Sequence, residues 1–384
     1  MNENKQMKLF FGVNFGLTLV MGVLMGIGYF FGRDISSFPA AQMLYPAAGV
    51  MVVLLAAREK EQKLPMKFFV TYFVVLALVV ICAVLSIIIP LGNVIGVGEG
   101  WYVIQSYVFI VGGVAALVLL LLEKREIKEA AGLNFRGHQV KASFLIMLLF
   151  LLLYVVRLLL SYLLEGQISE FGSLFADPSL YIMLPVLVIN YFLSYIIFFG
   201  EEYGWRYFLQ PVLQKRFGLK GGVLLLGVIW GLWHLPINLF YYSPDTWLKS
   251  ILIQIIACIC YSVFFGFAYS RTGNIWTAVV LHYINNNVIA VLTGSADFGG
   301  RIYSWKDLLM VLIVNGIVYL PFLFTKEYKE EKEAVFSAPL ISFIDNPCKD
   351  SSQQLSYREG GKYTFGSVQA AEQESSRNDD HSIS

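Results

Sequence analysis

The hydrophobic positions of this chain fall into long unbroken runs rather than into alternating or amphipathic patterns. Each run holds about 20 residues, and at a rise of about 1.5 Å per residue one helix of that length crosses the apolar core of a bilayer. Because the runs lack the period-two alternation of a membrane barrel, the sequence predicts an all-α fold, a polytopic membrane helix bundle of about ten transmembrane helices. The predicted spans are 8–31, 38–57, 67–90, 101–122, 142–164, 180–200, 221–241, 247–270, 274–294 and 306–325.

The distribution of polar residues predicts three regions. Residues 1–141 hold transmembrane helices without a recognised motif, and residues 142–325 hold the helices that carry the candidate chemistry. In residues 326–384 large aliphatic side chains become rare and Ser, Gln, Glu, Asp and Gly dominate. We expect this last region to be a polar, disordered cytoplasmic tail, because it has too little apolar surface to bury.

Composition agrees with a membrane protein and gives its orientation. The chain is 57% hydrophobic and 14% charged, whereas a soluble domain is about half apolar and about a quarter charged. A net charge of +1 provides no basic excess, so we expect the partners to be the lipid bilayer and a peptide or protein substrate, with no nucleic acid. Lys and Arg cluster in the loops at 58–67, 123–141 and 215–220 but are missing from 91–100, 165–179 and 242–246. By the positive-inside rule, this is a multi-pass protein of the cell membrane with cytoplasmic N- and C-termini.

Charged groups near the spans are candidates for function, because a charge at mid-membrane costs about 2.5–3.5 kcal/mol. The first group is Glu201, Glu202 and Arg206, at the predicted cytoplasmic end of the sixth span. Glu202 and Arg206 are four residues apart on one helix face, which predicts an ion pair. Glu201 lies about 100° around the helix and is expected to face a substrate water. The alternative for this group alone is a charged helix end among lipid headgroups.

Two further groups lie within predicted spans. In the seventh span His234 follows Trp230 by four residues, and we expect the indole to stack on the imidazole. In the ninth span His282 and Asn286 share one helix face. The alternative for His234 is a structural histidine that is hydrogen-bonded within the bundle. The alternative for the ninth span is that its amides hydrogen-bond to neighbouring helices. The depths of these groups and of Glu201, counted from the cytoplasmic ends of their spans, predict that one cavity open to the cytoplasm reaches them all. Their side chains are suited to water activation and oxyanion stabilisation.

A last intramembrane charge, Arg157, lies in the fifth span within reach of the outer face. We expect it to be structural, with its guanidinium extended to the interface.

The ordered motifs Glu201-Glu202-x-x-x-Arg206, Trp230-x-x-x-His234 and His282-x-x-x-Asn286 resemble those of the CPBP family of intramembrane endopeptidases, named for CAAX-protein proteases and bacteriocin-processing enzymes. The surrounding sequence resembles the bacterial branch, and the resemblance covers about residues 180–294, within a CPBP-like core at 142–325. Trp230 stands where the family usually has Phe. The resemblance implies that Glu201 and His234 activate water, that His282 and Asn286 stabilise the oxyanion, and that Glu202 and Arg206 orient the site.

The sequence leaves the role of a metal open. It contains no H-E-x-x-H motif, and the four cysteines show no spacing typical of zinc ligands. If Zn²⁺ is present, Glu201, His234 and His282 would be its ligands; we expect a mechanism without a metal or other cofactor.

The expected function is hydrolysis of a peptide bond in a membrane-associated peptide or protein, with peptide maturation and bacteriocin processing as candidate roles. One alternative is a secondary transporter, although no inverted repeat is visible in the sequence. The other is a non-catalytic membrane scaffold or immunity protein on the same fold.

Overall fold

The computed structural model describes residues 1–94, 98–135, 139–176, 178–293 and 299–329. In these residues the chain is a helix bundle, and the only β-structure described is the antiparallel pairing of β1 (Asn93–Val94) with β2 (Gly98–Glu99). The all-α prediction is therefore confirmed. The α-helices are α1 (Glu3–Phe30), α2 (Phe38–Gln42), α3 (Tyr45–Ala57), α4 (Met66–Ile88), α5 (Gly100–Leu122), α6 (Arg125–Ala130), α7 (Val140–Glu165), α8 (Ile168–Ala176), α9 (Pro178–Glu202), α10 (Gln210–Trp233), α11 (Leu235–Ile237), α12 (Trp247–Thr272), α13 (Ile275–Thr293) and α14 (Trp305–Tyr319).

Nine helical segments in the described residues are long and apolar enough to cross a membrane. One of them, Leu180–Trp233, holds 54 residues and contains the sixth predicted span and residues 221–233 of the seventh. At Gly218 within it, φ is 74°, a conformation that ends helical geometry and that glycine adopts without strain. The ten predicted spans therefore agree with the nine segments, because two spans follow one another across this glycine.

The sixth span is longer than the sequence predicts. After α9 the chain continues without a break through a π-helical segment, Tyr203–Leu209, into the first part of α10. Every residue of the π-helical segment is buried. Glu201 and Glu202 therefore do not end a helix, because buried helix continues beyond them on both sides, and this argues against the alternative of a charged helix end.

The seventh span is not one continuous helix. α10 ends at Trp233, the backbone of His234 leaves helical geometry with ψ of 1°, and α11 is followed by a second π-helical segment, Asn238–Tyr242. Pro236 lies in this break, and a proline has no N–H to donate to the preceding turn. The break places His234 at a helix end inside the bundle.

Close contact between α10 and α12 fixes the position of this break. Gly227 and Gly231 are one turn apart on α10, and a Cβ atom on either would collide with the backbone of α12, at Ile259 and Ile255 respectively. Small residues spaced by four allow two membrane helices to approach closely. The pair therefore sets how near Trp230 and His234 lie to α12.

The predicted tail at 326–384 lies almost wholly outside the described residues. Its first residues, Lys326–Tyr328, form a 3₁₀ turn, in which the buried Tyr328 hydroxyl donates to the Val263 carbonyl at 2.7 Å. The domain boundary at residue 141 stays a prediction.

Candidate active site

The junction of α9 with the π-helical segment positions both glutamates. Glu201 is 2% exposed and Glu202 is fully buried, and they point in different directions from the same turn. A π-helical turn holds an extra residue and is frequent at functional sites, because it shifts the side chains around the helix axis. Glu201 lines the central cavity of the bundle, whereas Glu202 is not among its lining residues.

Glu202 joins two other predicted site residues behind the cavity wall. Its Oε2 accepts from Arg206 Nε at 2.9 Å, and its Oε1 lies 2.8 Å from His282 Nδ1. Arg206 also donates from Nη1 to Ser262 Oγ at 3.2 Å and lies 4.9 Å from the centroid of the Trp230 ring. The carboxylate therefore fixes the His282 ring through Nδ1, which leaves Nε2 for the cavity.

Glu201 is held by two indoles rather than by a cation. Its Oε2 accepts from Trp230 Nε1 at 2.6 Å and from Trp205 Nε1 at 3.3 Å. The expected stacking of Trp230 on His234 is wrong, because the two ring centroids are 6.3 Å apart and the planes are inclined by 49°. Both indole bonds use Oε2, so the second oxygen of Glu201 is left for a water.

The ring of His234 is oriented by the backbone of its own helix. Its Nδ1 lies 2.8 Å from the Trp230 carbonyl oxygen, which can only accept a hydrogen bond. Nδ1 therefore carries the proton, and Nε2 of the neutral ring keeps its lone pair. His234 and His282 are thus held differently, the first by a neutral acceptor and the second by a carboxylate.

The motif-free N-terminal helices brace this histidine. Trp233, whose ring lies edge-on to His234 at 4.9 Å, donates from Nε1 to Asn14 Oδ1 at 3.0 Å. The Trp233 carbonyl accepts from Gln42 Nε2 at 2.8 Å. α1 and α2 therefore support the end of α10, although they carry none of the predicted site residues.

Asn286 lies one turn beyond His282 on α13 and also lines the cavity. Its Oδ1 accepts from Asn285 Nδ2 at 3.0 Å, so the N–H₂ group of Asn286 stays available as a donor. Asn285 Oδ1 in turn lies 3.5 Å from Arg157 Nη1. The expectation that Arg157 extends to the membrane interface is wrong, because its guanidinium lies against Tyr154 and Tyr261 in the cavity wall.

One cavity of about 330 Å³ brings four of the six predicted residues together: Glu201, His234, His282 and Asn286. Its wall also includes Tyr242, Arg301 and Tyr303, which lie at or beyond the ends of the helices opposite to the basic segments at 58–65 and 123–135. If the cavity opens at these three residues, its mouth and the basic segments lie on opposite sides of the membrane. The cytoplasmic opening of the cavity and the charge-based orientation both stay predictions.

The three-ligand zinc site that remained open from the sequence stays an untested alternative. In the described part of the chain, no group of three or more His, Cys, Asp or Glu is arranged to hold a metal ion. Glu201 Oε2 is taken by two indoles and His282 Nδ1 by Glu202, whereas the second oxygen of Glu201 and Nε2 of both histidines stay open. The mechanism proposed for this site uses no metal.

Several residues of the site were missed by the sequence analysis. Trp205 follows Glu201 by four residues, the same spacing that indicated the pair of Glu202 and Arg206, so the signal was present. Tyr154 and Tyr261 carried no comparable signal, because aromatic residues are common in every span.

Comparisons with known proteins point to the same part of the chain. Residues 183–288 match the model of a family described as type II CAAX prenyl endopeptidase Rce1-like. A curated protein of Methanococcus maripaludis, CAAX prenyl protease 2, is 32% identical over 108 residues, which are 27% of this chain and 37% of that protein. The chain thus spans little more than a third of the curated relative it matches. No solved structure matches. The assignment to the bacterial branch stays a prediction.

Proposed function

From the premise that residues 183–288 belong to the CPBP family, we propose that this chain is an intramembrane endopeptidase that hydrolyses a peptide bond in a membrane-associated peptide or protein. The observation that carries the proposal is the convergence of Glu201, His234, His282 and Asn286 on one buried cavity. A carboxylate, two differently held imidazoles and an amide donor are the groups that water-driven acyl hydrolysis needs.

Water activation is assigned to Glu201 and His234. The free oxygen of Glu201 accepts one proton of the water, His234 Nε2 accepts a hydrogen bond from its other O–H, and the water oxygen attacks the scissile carbonyl carbon. The C–N bond breaks as the tetrahedral intermediate collapses, and the accepted proton passes to the leaving amine. The two indoles keep Glu201 in position without neutralising it.

Oxyanion stabilisation is assigned to His282 and Asn286. The role assigned to His282 is that of a ring with a proton on each nitrogen, bonded through Nδ1 to the Glu202 carboxylate. His282 then donates from Nε2, and Asn286 donates from its amide, to the oxygen that becomes negative in the intermediate. Arg206 pairs with Glu202 and fixes its position, so it acts through that carboxylate and not on the substrate.

The location of the cavity indicates the class of substrate. A catalytic cavity inside a helix bundle is reached by a peptide that is itself at the membrane. The curated relative is named for prenylated CAAX proteins, and the sequence resemblance also includes bacteriocin processing. Both classes of substrate therefore belong in the test.

The test is cleavage by the purified full chain in lipid nanodiscs. The substrates are membrane-anchored peptides, one set with a farnesylated CAAX end and one set unmodified, and mass spectrometry identifies the products. We expect Glu201→Ala and His234→Ala to reduce cleavage to background. Asn286→Ala should retain weak activity, because the loss of one oxyanion donor costs about 10²–10³ in rate.

A matched control separates chemistry from folding. Tyr107 is exposed on α5, away from the cavity lining, so Tyr107→Phe should cleave like the wild type. Binding of peptide without cleavage, unchanged by Glu201→Ala, would support a scaffold. Peptide accumulation inside sealed proteoliposomes without cleavage would support a transporter, and either result would overturn the proposal.

A further inference from the structure

Arg157 is a cation in the wall of the catalytic cavity, and the proposed mechanism does not use it. It lies on α7, which the sequence analysis assigned no chemistry, and its guanidinium carbon is 4.3 Å from the centroid of the Tyr154 ring. Nη1 donates to the Tyr261 hydroxyl and lies 3.5 Å from Asn285 Oδ1. All three side chains are neutral.

No carboxylate forms an ion pair with Arg157 among the residues that the structure describes. The two glutamates of the site are engaged elsewhere: Glu202 with Arg206 and His282, and Glu201 with two indoles. Arg157 is partly buried, and a cation without a countercharge inside a membrane protein is costly and indicates a binding or transport site. The cavity wall therefore carries one positive charge that no described side chain balances.

The charge lies close to the position of the scissile bond. Asn285 accepts from Arg157 and donates to Asn286, so two hydrogen bonds join the guanidinium to the proposed oxyanion donor. All three residues line the cavity, as does His282. An anion bound at Arg157 would thus lie in the same cavity as the bond that is cut, next to the proposed oxyanion donor Asn286.

We propose that Arg157, with Tyr154 and Tyr261, forms a subsite that binds a carboxylate of the substrate next to the scissile bond. A guanidinium presents several donors in one plane and pairs well with a carboxylate, and phenol hydroxyls complete such a site. The carboxylate comes either from the C-terminus of the peptide or from an Asp or Glu side chain. The binding of a carboxylate does not depend on the proposed function. Only the identification of that carboxylate as part of the substrate rests on the proposed function.

Binding is measured in nanodiscs with the Glu201→Gln chain, so that the result does not depend on cleavage. The probes are three dye-labelled peptides of Ala and Leu: one with a free C-terminal acid, one with a C-terminal amide, and one amide with a single internal Glu. We expect at least one carboxylate-bearing probe to bind about 10- to 100-fold more tightly than the neutral amide, since hydrogen bonds to charged groups are the stronger class. Preference for the acid probe identifies the C-terminus, and preference for the Glu probe identifies a side chain.

Variants at position 157 test the residue itself. Adding Arg157→Met should abolish the preference, and adding Arg157→Lys should retain part of it because the charge stays. If Arg157→Met does not fold, the affinities of the three probes for the chain that keeps Arg157 still show whether a carboxylate is preferred. Equal affinity for all three probes, or a preference that survives in Arg157→Met, would overturn the subsite.

The wild-type chain separates this result from the proposed function. Cleavage of the acid, the amide and the Glu-bearing peptide at equal kcat/KM would overturn the subsite without affecting the proposed protease. Preferential binding of a carboxylate-bearing probe, with no cleavage of any peptide by the wild type, would overturn the proposed protease activity and still support the subsite.

Discussion

Trp230 shows how a single residue can change its role between sequence and structure. In the family that these motifs resemble, this position is usually Phe, and both residues have an aromatic ring. In this chain the ring lies beside the Arg206 guanidinium, and the indole N–H donates to Glu201 at 2.6 Å. A phenylalanine would keep the first contact and lose the second.

We expect Trp230→Phe to lower kcat by about 10- to 100-fold with little change in thermal stability, because a hydrogen bond to an ionised group is lost and the volume is largely kept. The matched control is Trp205→Phe, whose bond to the same oxygen is longer at 3.3 Å, so its loss should matter less. Steady-state kinetics on both variants checks this. Equal effects of the two substitutions would show that the indole bonds do not position Glu201.

Arg206 should behave as a structural cation. It is fully buried, its Nε bonds Glu202, and its Nη2 has no partner among the described residues. Removal of one member of a buried ion pair costs about 3–5 kcal/mol. Arg206→Ala should therefore lose activity and also unfold at a lower temperature, as followed by scanning fluorimetry in detergent.

The double variant Glu202→Gln/Arg206→Met provides the control for Arg206. It removes both charges, so it should recover much of the lost stability while staying inactive, because His282 then has no carboxylate. A fully stable but inactive Arg206→Ala would instead mean that Arg206 contacts the substrate.

Metal removal tests the mechanism at the same residues. Since no described group of His, Cys, Asp or Glu is arranged to hold a metal ion, we expect a chelator to leave most of the activity and the purified chain to carry well under one metal ion. Elemental analysis and an assay with a phenanthroline chelator check both. One tightly bound zinc ion per chain, lost together with activity in His282→Ala, would establish a metal mechanism.

At the scale of elements, the contact of α10 with α12 decides whether the site assembles. Gly231→Leu should separate these helices, because even a Cβ atom would collide with Ile255. We expect a lower unfolding temperature and a loss of activity, since Trp230 and His234 flank this glycine. Gly221→Ala on the same helix meets only the Phe217 Cβ at 3.6 Å and should be tolerated. A stable, active Gly231→Leu would show that the close approach is not needed.

At the scale of the whole molecule, the mouth of the cavity and the basic loops should lie on opposite sides of the membrane. Lys60 lies in the loop between α3 and α4, and Ile302 is 74% exposed next to the cavity-lining Tyr303. In a chain with Cys348→Ser, Lys60→Cys should react with a membrane-impermeant thiol reagent only from the cytoplasmic side. Ile302→Cys should react only from the other side. Labelling of both from one side would contradict this topology.

Much of this architecture follows from local pattern. The spans could be predicted because the length of an apolar run sets whether a helix crosses a bilayer, and that length is read directly from the chain. The bond of Glu202 to Arg206 could be predicted because residues four apart are neighbours on any helix. The break at His234 escaped prediction although Pro236 stands in it, because the apolar run continues across it.

The chemistry of the site depends on contacts between residues far apart in the chain. The indole bond to Glu201 joins residues 29 apart, the carboxylate on His282 comes from 80 residues away, and Asn285 lies 128 residues from Arg157. Such contacts depend on which helix faces turn toward each other, and no local spacing specifies this. The sequence therefore supplied the reactive side chains, whereas packing decided which carboxylate faces the cavity and which nitrogen of each histidine is free.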